Sequence, residues 1–285
     1  MYKGKITMKT KIITDSTADL LPQWREKVSV VPLTLHFGEE VYADGVTISH
    51  KEFYEKLVET DTLPTTSQAS PAAFADVFSQ LKKDEEAVVV TLSADLSGTY
   101  QSAMIAAADY DNIYVVDSRS AAIGGGILVA RAIEMAEQGL CAKEIATALE
   151  EEKGKIVLMA LVDTLEYLKR GGRVSKTVAF AGSILNIKPV IALDDGKIIM
   201  LGKARGSKQG NNLLVQQIEK AGGVDFSKPL LLGYTGLSDA LLKKYIEDSK
   251  QLWSEGVEQV PYTTIGSVIG THAGPGAVAV AFFKK

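Results

Sequence analysis

In the N-terminal half of the chain, short apolar runs alternate with segments whose apolar residues recur at helical spacing. The apolar runs predict strands over Lys11–Thr14, Val28–Phe37, Ala87–Leu92 and Ile113–Val116. The amphipathic segments predict helices from Ser16 to about Trp24, over Ser49–Glu59 and Pro71–Lys82, from about Gly98 to Ala108, and up to about Glu137. Strand–helix alternation with nearly continuous apolar strands is typical of a parallel sheet covered on both faces.

The pattern changes near Gly154, after which strands and helices no longer alternate regularly. Strands are predicted over Ile156–Val162, Pro189–Leu193, Lys197–Leu201, Val260–Ile269 and Ala277–Phe283, and helices over Thr164–Lys169, Asn211–Lys220 and Asp239–Lys250. Asp194, Asp195 and Gly196 between the second and third strands are a strong hairpin signal. The last two strands flank a glycine-rich turn.

These patterns predict an α/β N-terminal domain over residues 9–155 and a smaller α+β domain over residues 156–285. With no long linker between them, the two domains are expected to pack closely and leave a ligand cleft. Residues 1–7 precede a second methionine, Met8, and are left out of the fold prediction.

Composition and charge narrow the class of protein. Hydrophobic residues make up 46% and charged residues 23% of the 285-residue chain, as in ordinary globular proteins. The net charge of −4 argues against a general nucleic-acid binder, which needs a positive field. The single cysteine, Cys141, excludes a disulfide framework and a cysteine-built metal site. No signal-peptide core is visible, so a cytoplasmic location is expected.

Three predicted turns are rich in hydroxyl groups. They are Thr14–Thr17, Thr65–Gln68 and Leu96–Ser102, and the first and third follow strands of the predicted parallel sheet. Ligands of such sheets bind beyond the carboxyl ends of the strands. The third turn also opens a helix, where Ser97 and Gly98 could hold a carboxylate or phosphate. Taken singly, each turn is better explained as an ordinary helix cap or turn, since Ser and Thr are common cap residues.

Histidine and arginine supply further candidates. His272 lies between Gly270 and Gly276, in a turn that can bring the imidazole close to a ligand, whereas His36 and His50 are interpreted as ordinary polar residues. The basic turns Lys169–Arg173 and Lys203–Lys208 could bind a phosphate or an acidic partner, or be solvated charge. Complete P-loop, dinucleotide-fingerprint, zinc-protease and nucleophile-elbow motifs are missing, which argues against ATP, NAD and zinc chemistry.

Taken together and in this order, the motifs resemble the DegV family of bacterial fatty-acid-binding proteins. The motifs are Ile13–Thr17, Thr65–Gln68, Leu96–Ser102, Gly171–Arg173 and His272–Gly276, and the resemblance runs from about Lys11 to Phe283. It implies a lipid-binding carrier rather than an enzyme, with one long-chain fatty acid buried between two domains. It further implies a separate kinase subunit, which binds ATP and phosphorylates the acid for phospholipid synthesis.

The resemblance also implies roles for particular residues. Thr66, Ser97 and His272 would bind the fatty-acid carboxylate, and Arg170, Arg173 and Arg205 would contact the head group or the kinase. The resemblance implies no cofactor, metal or nucleic acid, and it is compatible with transient contact between the protein and the membrane.

Two other functions use the same residues. The first is a serine esterase or acyltransferase with Ser97 as nucleophile, His272 as base and Asp15 orienting the histidine. The second is a module that binds phosphosugars or other anions through the N–H groups of the turns.

Overall fold

Three β-sheets form the framework of the protein in its computed structural model, which describes residues 8–60, 62–174, 186–254 and 256–285. The leader of residues 1–7 therefore lies outside the described residues. The strands are β1 (Lys9–Asp15), β2 (Val28–Val31), β3 (Thr34–Phe37), β4 (Glu40–Ala43), β5 (Thr65–Ser67), β6 (Glu85–Thr91), β7 (Ile113–Asp117), β8 (Ile156–Leu161), β9 (Ile187–Asp194), β10 (Lys197–Arg205), β11 (Leu231–Tyr234), β12 (Tyr262–Thr264) and β13 (Val278–Phe283).

Helices of very different lengths connect these strands. They are α1 (Pro22–Arg25), α2 (His50–Glu59), α3 (Pro71–Phe78), α4 (Thr99–Ala107), α5 (Ala122–Glu137), α6 (Ala142–Glu152), α7 (Glu166–Arg170), α8 (Gly206–Lys220), α9 (Ala240–Asp248), α10 (Lys250–Trp253) and α11 (Ser267–Ala273). Within the described ranges, none of them is long and apolar enough to cross a membrane.

The predicted parallel sheet is confirmed. It has four strands in the order β2-β1-β6-β7, and every pairing in it is parallel. A small antiparallel sheet has the order β4-β3-β5. The protein is thus an α/β protein whose first half carries a parallel sheet.

The second half forms a mixed sheet with the strand order β10-β9-β8-β13-β11-β12. Its pairings are antiparallel except that of β11 with β12. The predicted hairpin of β9 and β10 is confirmed, with its turn at Asp195 and Gly196. Each described strand before residue 155 lies in the first two sheets and each one after it in the third, but the domain division itself stays a prediction.

Helix α5 links the two halves by packing on both of them. Leu128 and Val129 pack against the parallel sheet, whereas Ile123 and Ile127 pack against the mixed sheet. Apolar residues on opposite sides of a helix are expected in such a buried position. Its first residue, Ala122, lies at the edge of a cavity between these layers.

Two N-terminal expectations are wrong. The helix expected from Ser16 begins only at Pro22, because the Ser16 side chain accepts a hydrogen bond from the distant Leu33 N–H instead of capping a helix. The extended run Val28–Phe37 is two strands in different sheets. Pro32 lies between them, where its missing N–H interrupts a strand ladder.

The structure also corrects the surroundings of His272. The expected strand Val260–Ile269 is the short strand β12 followed by helix α11, so His272 lies on a helix rather than in a turn between two strands. Likewise, Thr65–Ser67 is strand β5, paired with β3, rather than a turn. Short apolar runs do not distinguish a strand from a buried helix by periodicity alone.

Candidate functional site: an apolar cavity with a polar end

The candidate site is a cavity of about 930 Å³, including its open end, lined by residues from both halves of the chain. Most of its lining side chains are apolar. Those from the mixed sheet and from α11 include Leu158, Ala160, Ile191, Leu193, Val268, Ile269, Ala277 and Ala279. A cavity with this lining fits a ligand with a large apolar part.

The polar lining side chains are Thr66, Ser67, Gln68, Ser97, Arg173 and His272. Ser67 is exposed, with its Oγ 3.0 Å from His36 Nε2, so the other five form the polar end of the cavity. His272 Nε2 lies 2.9 Å from Thr66 Oγ1, which joins α11 to β5 across the cavity. The structure therefore brings together the three residues predicted to bind a carboxylate.

Arg173 completes this polar end with a positive charge. Its Nε donates to the carbonyl oxygen of Leu96 at 3.2 Å, which holds the guanidinium beside Ser97. Its Nη1 donates to the Gly171 carbonyl at 2.6 Å. Both partners are neutral carbonyls, and no carboxylate of the described residues forms an ion pair with Arg173. The cavity thus contains a cation that can attract an anionic ligand.

Ser97 is held at the entrance of helix α4. Its Oγ lies 2.9 Å from Thr99 Oγ1 and accepts from the Thr99 N–H at 3.3 Å. No hydrogen bond joins Ser97 to His272 in the described ranges. The described contacts therefore give no support to a proton transfer from Ser97 to His272.

Gln68 was missed as a site residue by sequence reasoning. It lies two residues after Thr66, and alternate residues of an extended segment face the same side. Its Nε2 donates to Ser102 Oγ at 2.9 Å, which ties the β5 segment to α4. The period of two within the Thr65–Gln68 motif could have identified it.

The other two candidate arginines do not line the cavity. Arg170 is exposed on α7 and pairs with Glu166 at 2.9 Å, one helical turn away. Arg205 is exposed where β10 meets α8. Of the three, only Arg173 reaches the polar end.

The motif Thr14–Thr17 also lies away from the cavity. Both oxygens of the buried Asp15 are occupied: Oδ1 accepts from Thr17 and Oδ2 from the Leu92 N–H. Asp15 therefore does not orient His272, whose ring bonds to Thr66 instead. This arrangement disfavours the esterase hypothesis. Among the described residues, no cluster of His, Cys, Asp and Glu is suited to a metal ion.

Burial, and after it the positive charge of Arg173, lowers the pKa of His272 to about 4. The imidazole is therefore neutral at pH 7, and Arg173 carries the positive charge of the polar end. His272 Nδ1 is buried and has no hydrogen-bond partner among the described residues. A neutral ring, two hydroxyls and one guanidinium are a set of groups suited to a single carboxylate.

The pKa of His272 predicts a pH-dependent loss of stability. In the unfolded chain its pKa is about 6.5, so the unfolded state takes up the proton first as the pH falls. The free energy of unfolding should decrease by up to about 3 kcal/mol between pH 6.5 and pH 4 relative to a His272→Gln variant. Urea unfolding of both proteins across this range measures the difference.

The comparison with His272→Gln is needed because burial raises the pKa values of Asp15, Asp19 and Asp44. A raised carboxyl pKa has the opposite effect, since that stability is lost as the pH rises. Both proteins contain these carboxyls, so their contribution cancels in the difference between the two free energies of unfolding. A difference that stays constant from pH 7 to pH 4 contradicts the lowered pKa.

Comparison with known proteins identifies the family. The sequence model of the DegV family, described as an uncharacterised protein, matches residues 9–285. The chain belongs to the DegV family. A DegV domain-containing protein of Caldanaerobacter subterraneus is 36% identical over 286 residues, which covers 99% of each chain.

Solved structures share the DegV fold over nearly the whole chain. One, described as fatty acid binding of a DegV family protein from Thermus thermophilus, has a TM-score of 0.85 and 32% identity over 97% of this chain and 100% of that one. Another is the Streptococcus pneumoniae Fatty Acid Kinase (Fak) B3 protein loaded with linoleic acid, with a TM-score of 0.85. It is 23% identical and covers 98% of this chain and 100% of that one, so this likeness supports the fold alone.

Proposed function

We propose that this DegV protein binds one long-chain fatty acid in the cavity, with the carboxylate at the polar end, and presents it to a separate kinase subunit. The observation that carries the proposal is the position of Arg173, a cation at the polar end of a cavity whose other lining is mostly apolar. In this arrangement Thr66, Ser97 and His272 surround the carboxylate. The Thr66–His272 hydrogen bond uses one of the two protons of that pair, so Ser97 and one member of the pair donate to the carboxylate. The acid lies between the N-terminal and C-terminal domains.

The division into an apolar cavity and a small polar end matches the chemistry of a fatty acid. Burying about 15 methylenes at about 0.8 kcal/mol each gives a gross gain of about 12 kcal/mol. Ordering of the chain and lost overall motion reduce this gain substantially. The carboxylate must be compensated when it leaves water, which requires donors at the end of the cavity.

Two observations support the kinase role: the sequence has no complete nucleotide-binding motif, and proteins of the same fold are related to it. The sequence contains no complete nucleotide-binding motif, so ATP is bound by the partner. A carboxylate oxygen of the acid attacks the γ-phosphorus of ATP, the bond to the bridging oxygen breaks, and ADP leaves. The DegV protein from Thermus thermophilus supports fatty-acid binding, and the Fak B3 protein shows that this fold also occurs in a protein named for a fatty acid kinase. The exposed Arg170 and Arg205 are proposed kinase contacts.

Native mass spectrometry of the purified protein, followed by lipid extraction, tests the binding function. We expect one fatty acid per chain. Addition of ATP should convert the acid to an acyl phosphate only when the kinase subunit is present. A protein that carries no lipid and binds none on titration, or that hydrolyses esters by itself, contradicts the proposal.

Removing single donors should weaken fatty-acid binding without unfolding the protein. Ser97→Ala and Thr66→Ala each delete one hydrogen bond to a charged acceptor, worth about 1.5–3 kcal/mol, or about 10- to 100-fold in Kd. Titration with a fluorescent fatty acid measures the change. Ser79→Ala, at an exposed serine after α3, is the matched control. Unchanged affinity in both variants would mean that the carboxylate binds elsewhere.

A further inference from the structure

One peptide group just before helix α11 is held from both sides by the N-terminal half of the chain. Tyr54 Oη donates to the carbonyl oxygen of Ile265 at 2.9 Å. The N–H of the same peptide, on Gly266, donates to Asp19 Oδ1 at 2.7 Å. The donor and the acceptor of this peptide are thus both bound by side chains more than two hundred positions earlier in the chain.

This contact is buried, so it strongly fixes the peptide. Tyr54 is 0% exposed, Ile265 2% and Asp19 4%. Buried peptide groups that lose a partner find no water to replace it. Any displacement of this peptide would therefore leave polar groups unpaired.

Helix α2 also leaves α11 no room to move towards it. A Cβ added to Gly270 would lie 2.5 Å from Tyr54 Oη and 2.8 Å from Phe53 Cε1. The backbone of α11 at this point is therefore in close contact with both aromatic side chains. Tyr54 fixes the start of α11 by a hydrogen bond and its middle by contact.

The fixed peptide is close to the site along α11. His272 follows Gly266 by six residues, about 9 Å along a helix. The helix is a single short element, so a shift or tilt at its start moves the imidazole by a similar amount. The imidazole is held at the polar end by the contact with Thr66.

We propose that Tyr54 and Asp19 are positioning residues for His272: by holding the Ile265–Gly266 peptide, they fix where α11 places the imidazole at the polar end of the cavity. The effect on phosphorylation rests on the proposed function, whereas the effect on the imidazole does not. Asp19 thus holds a helix that lies more than two hundred positions later in the chain.

The pKa of His272, followed by NMR in lipid-free full-length protein, tests the positioning directly. Tyr54→Phe removes only the hydroxyl group, so the aromatic packing of α2 is kept. We expect the pKa of His272 to rise from about 4 by about one pH unit or more, because the ring becomes less buried. Tyr245→Phe removes another buried hydroxyl, on α9 and outside the cavity lining, and should leave this pKa unchanged.

Two substitutions at Asp19 provide a second measurement. Asp19→Asn keeps an acceptor oxygen for the Gly266 N–H and should behave like the wild type. Asp19→Ala removes the acceptor and should shift the pKa of His272 as Tyr54→Phe does. An unchanged His272 pKa in both Tyr54→Phe and Asp19→Ala overturns the proposal.

Phosphorylation of bound fatty acid then separates this proposal from the proposed function. With the kinase subunit, Tyr54→Phe should lower the rate about tenfold at saturating acid, with less than about threefold change in Kd. A shifted His272 pKa with an unchanged rate supports the positioning and contradicts the proposed role of His272. Equal losses in Tyr54→Phe and Tyr245→Phe would overturn the positioning.

Discussion

A phenylalanine in place of Ala279 is expected to abolish fatty-acid binding while leaving the fold intact. Ala279 lies on β13 directly opposite Ala160 of β8, and both line the cavity. Directly paired residues of two strands face the same side of a sheet, so these small side chains make room for the acyl chain. A benzyl group at this position would occupy space that the methylenes need.

The loss should be large because the apolar chain supplies most of the affinity. Excluding even four methylenes removes about 3 kcal/mol, or more than about 100-fold in Kd. Mass spectrometry should find Ala279→Phe purified without lipid, and its melting temperature should not fall, because the ring fills existing space. Ala279→Ser, which keeps the space open, is the control. One tightly bound acid per chain in Ala279→Phe would mean that the acyl chain lies elsewhere.

Local sequence signals predicted the elements that depend on local chemistry. Ser70 caps α3 by accepting from the Ala73 N–H, as its position before Pro71 indicates. The turn residues Asp195 and Gly196 correctly identified the hairpin of the mixed sheet. In both cases the deciding contacts lie within a few residues of the signal.

Helix α11 could not be predicted because its deciding contacts are distant. The expected strand Val260–Ile269 overlaps the start of this helix, Ser267–Ala273. A short run of this kind fits a strand as well as a buried helix. What fixes it as a helix at this place includes the bonds from Tyr54 and Asp19 to the peptide before it. The spacing of residues along the sequence does not predict contacts between positions so far apart.

The polar end of the cavity was only partly predictable for a similar reason. The family resemblance gave Thr66, Ser97 and His272 together, but it could not choose among the three arginines. The spacing of Glu166 and Arg170 by four residues already favours a pair on the surface of a helix. The choice of Arg173 depends on its bond to the Leu96 carbonyl, which joins parts of the chain 77 residues apart.

The second large effect is expected at His272, and it should fall on phosphorylation more than on binding. In His272→Ala we expect the rate of acyl-phosphate formation by the kinase subunit to fall by at least about 100-fold. The affinity for fatty acid should fall by less than about tenfold, because Arg173, the hydroxyls and the apolar cavity remain. In the proposed function the imidazole sets the orientation of the carboxylate, and small errors in orientation cost far more in rate than in affinity.

A variant that keeps the imidazole but displaces it separates position from chemical identity. A Cβ added to Gly171 would lie 2.1 Å from His272 Nδ1, so Gly171→Ala must push the ring away. Gly171 has φ −70°, which alanine adopts without strain, and the other crowded neighbour, the Tyr167 carbonyl oxygen, would lie farther away at 3.2 Å. Gly154→Ala, whose added Cβ meets no atom within 4 Å, is the control. We expect Gly171→Ala to lose phosphorylation nearly as severely as His272→Ala while still binding fatty acid. A wild-type rate in Gly171→Ala would show that the position of the imidazole does not govern transfer of the phosphoryl group.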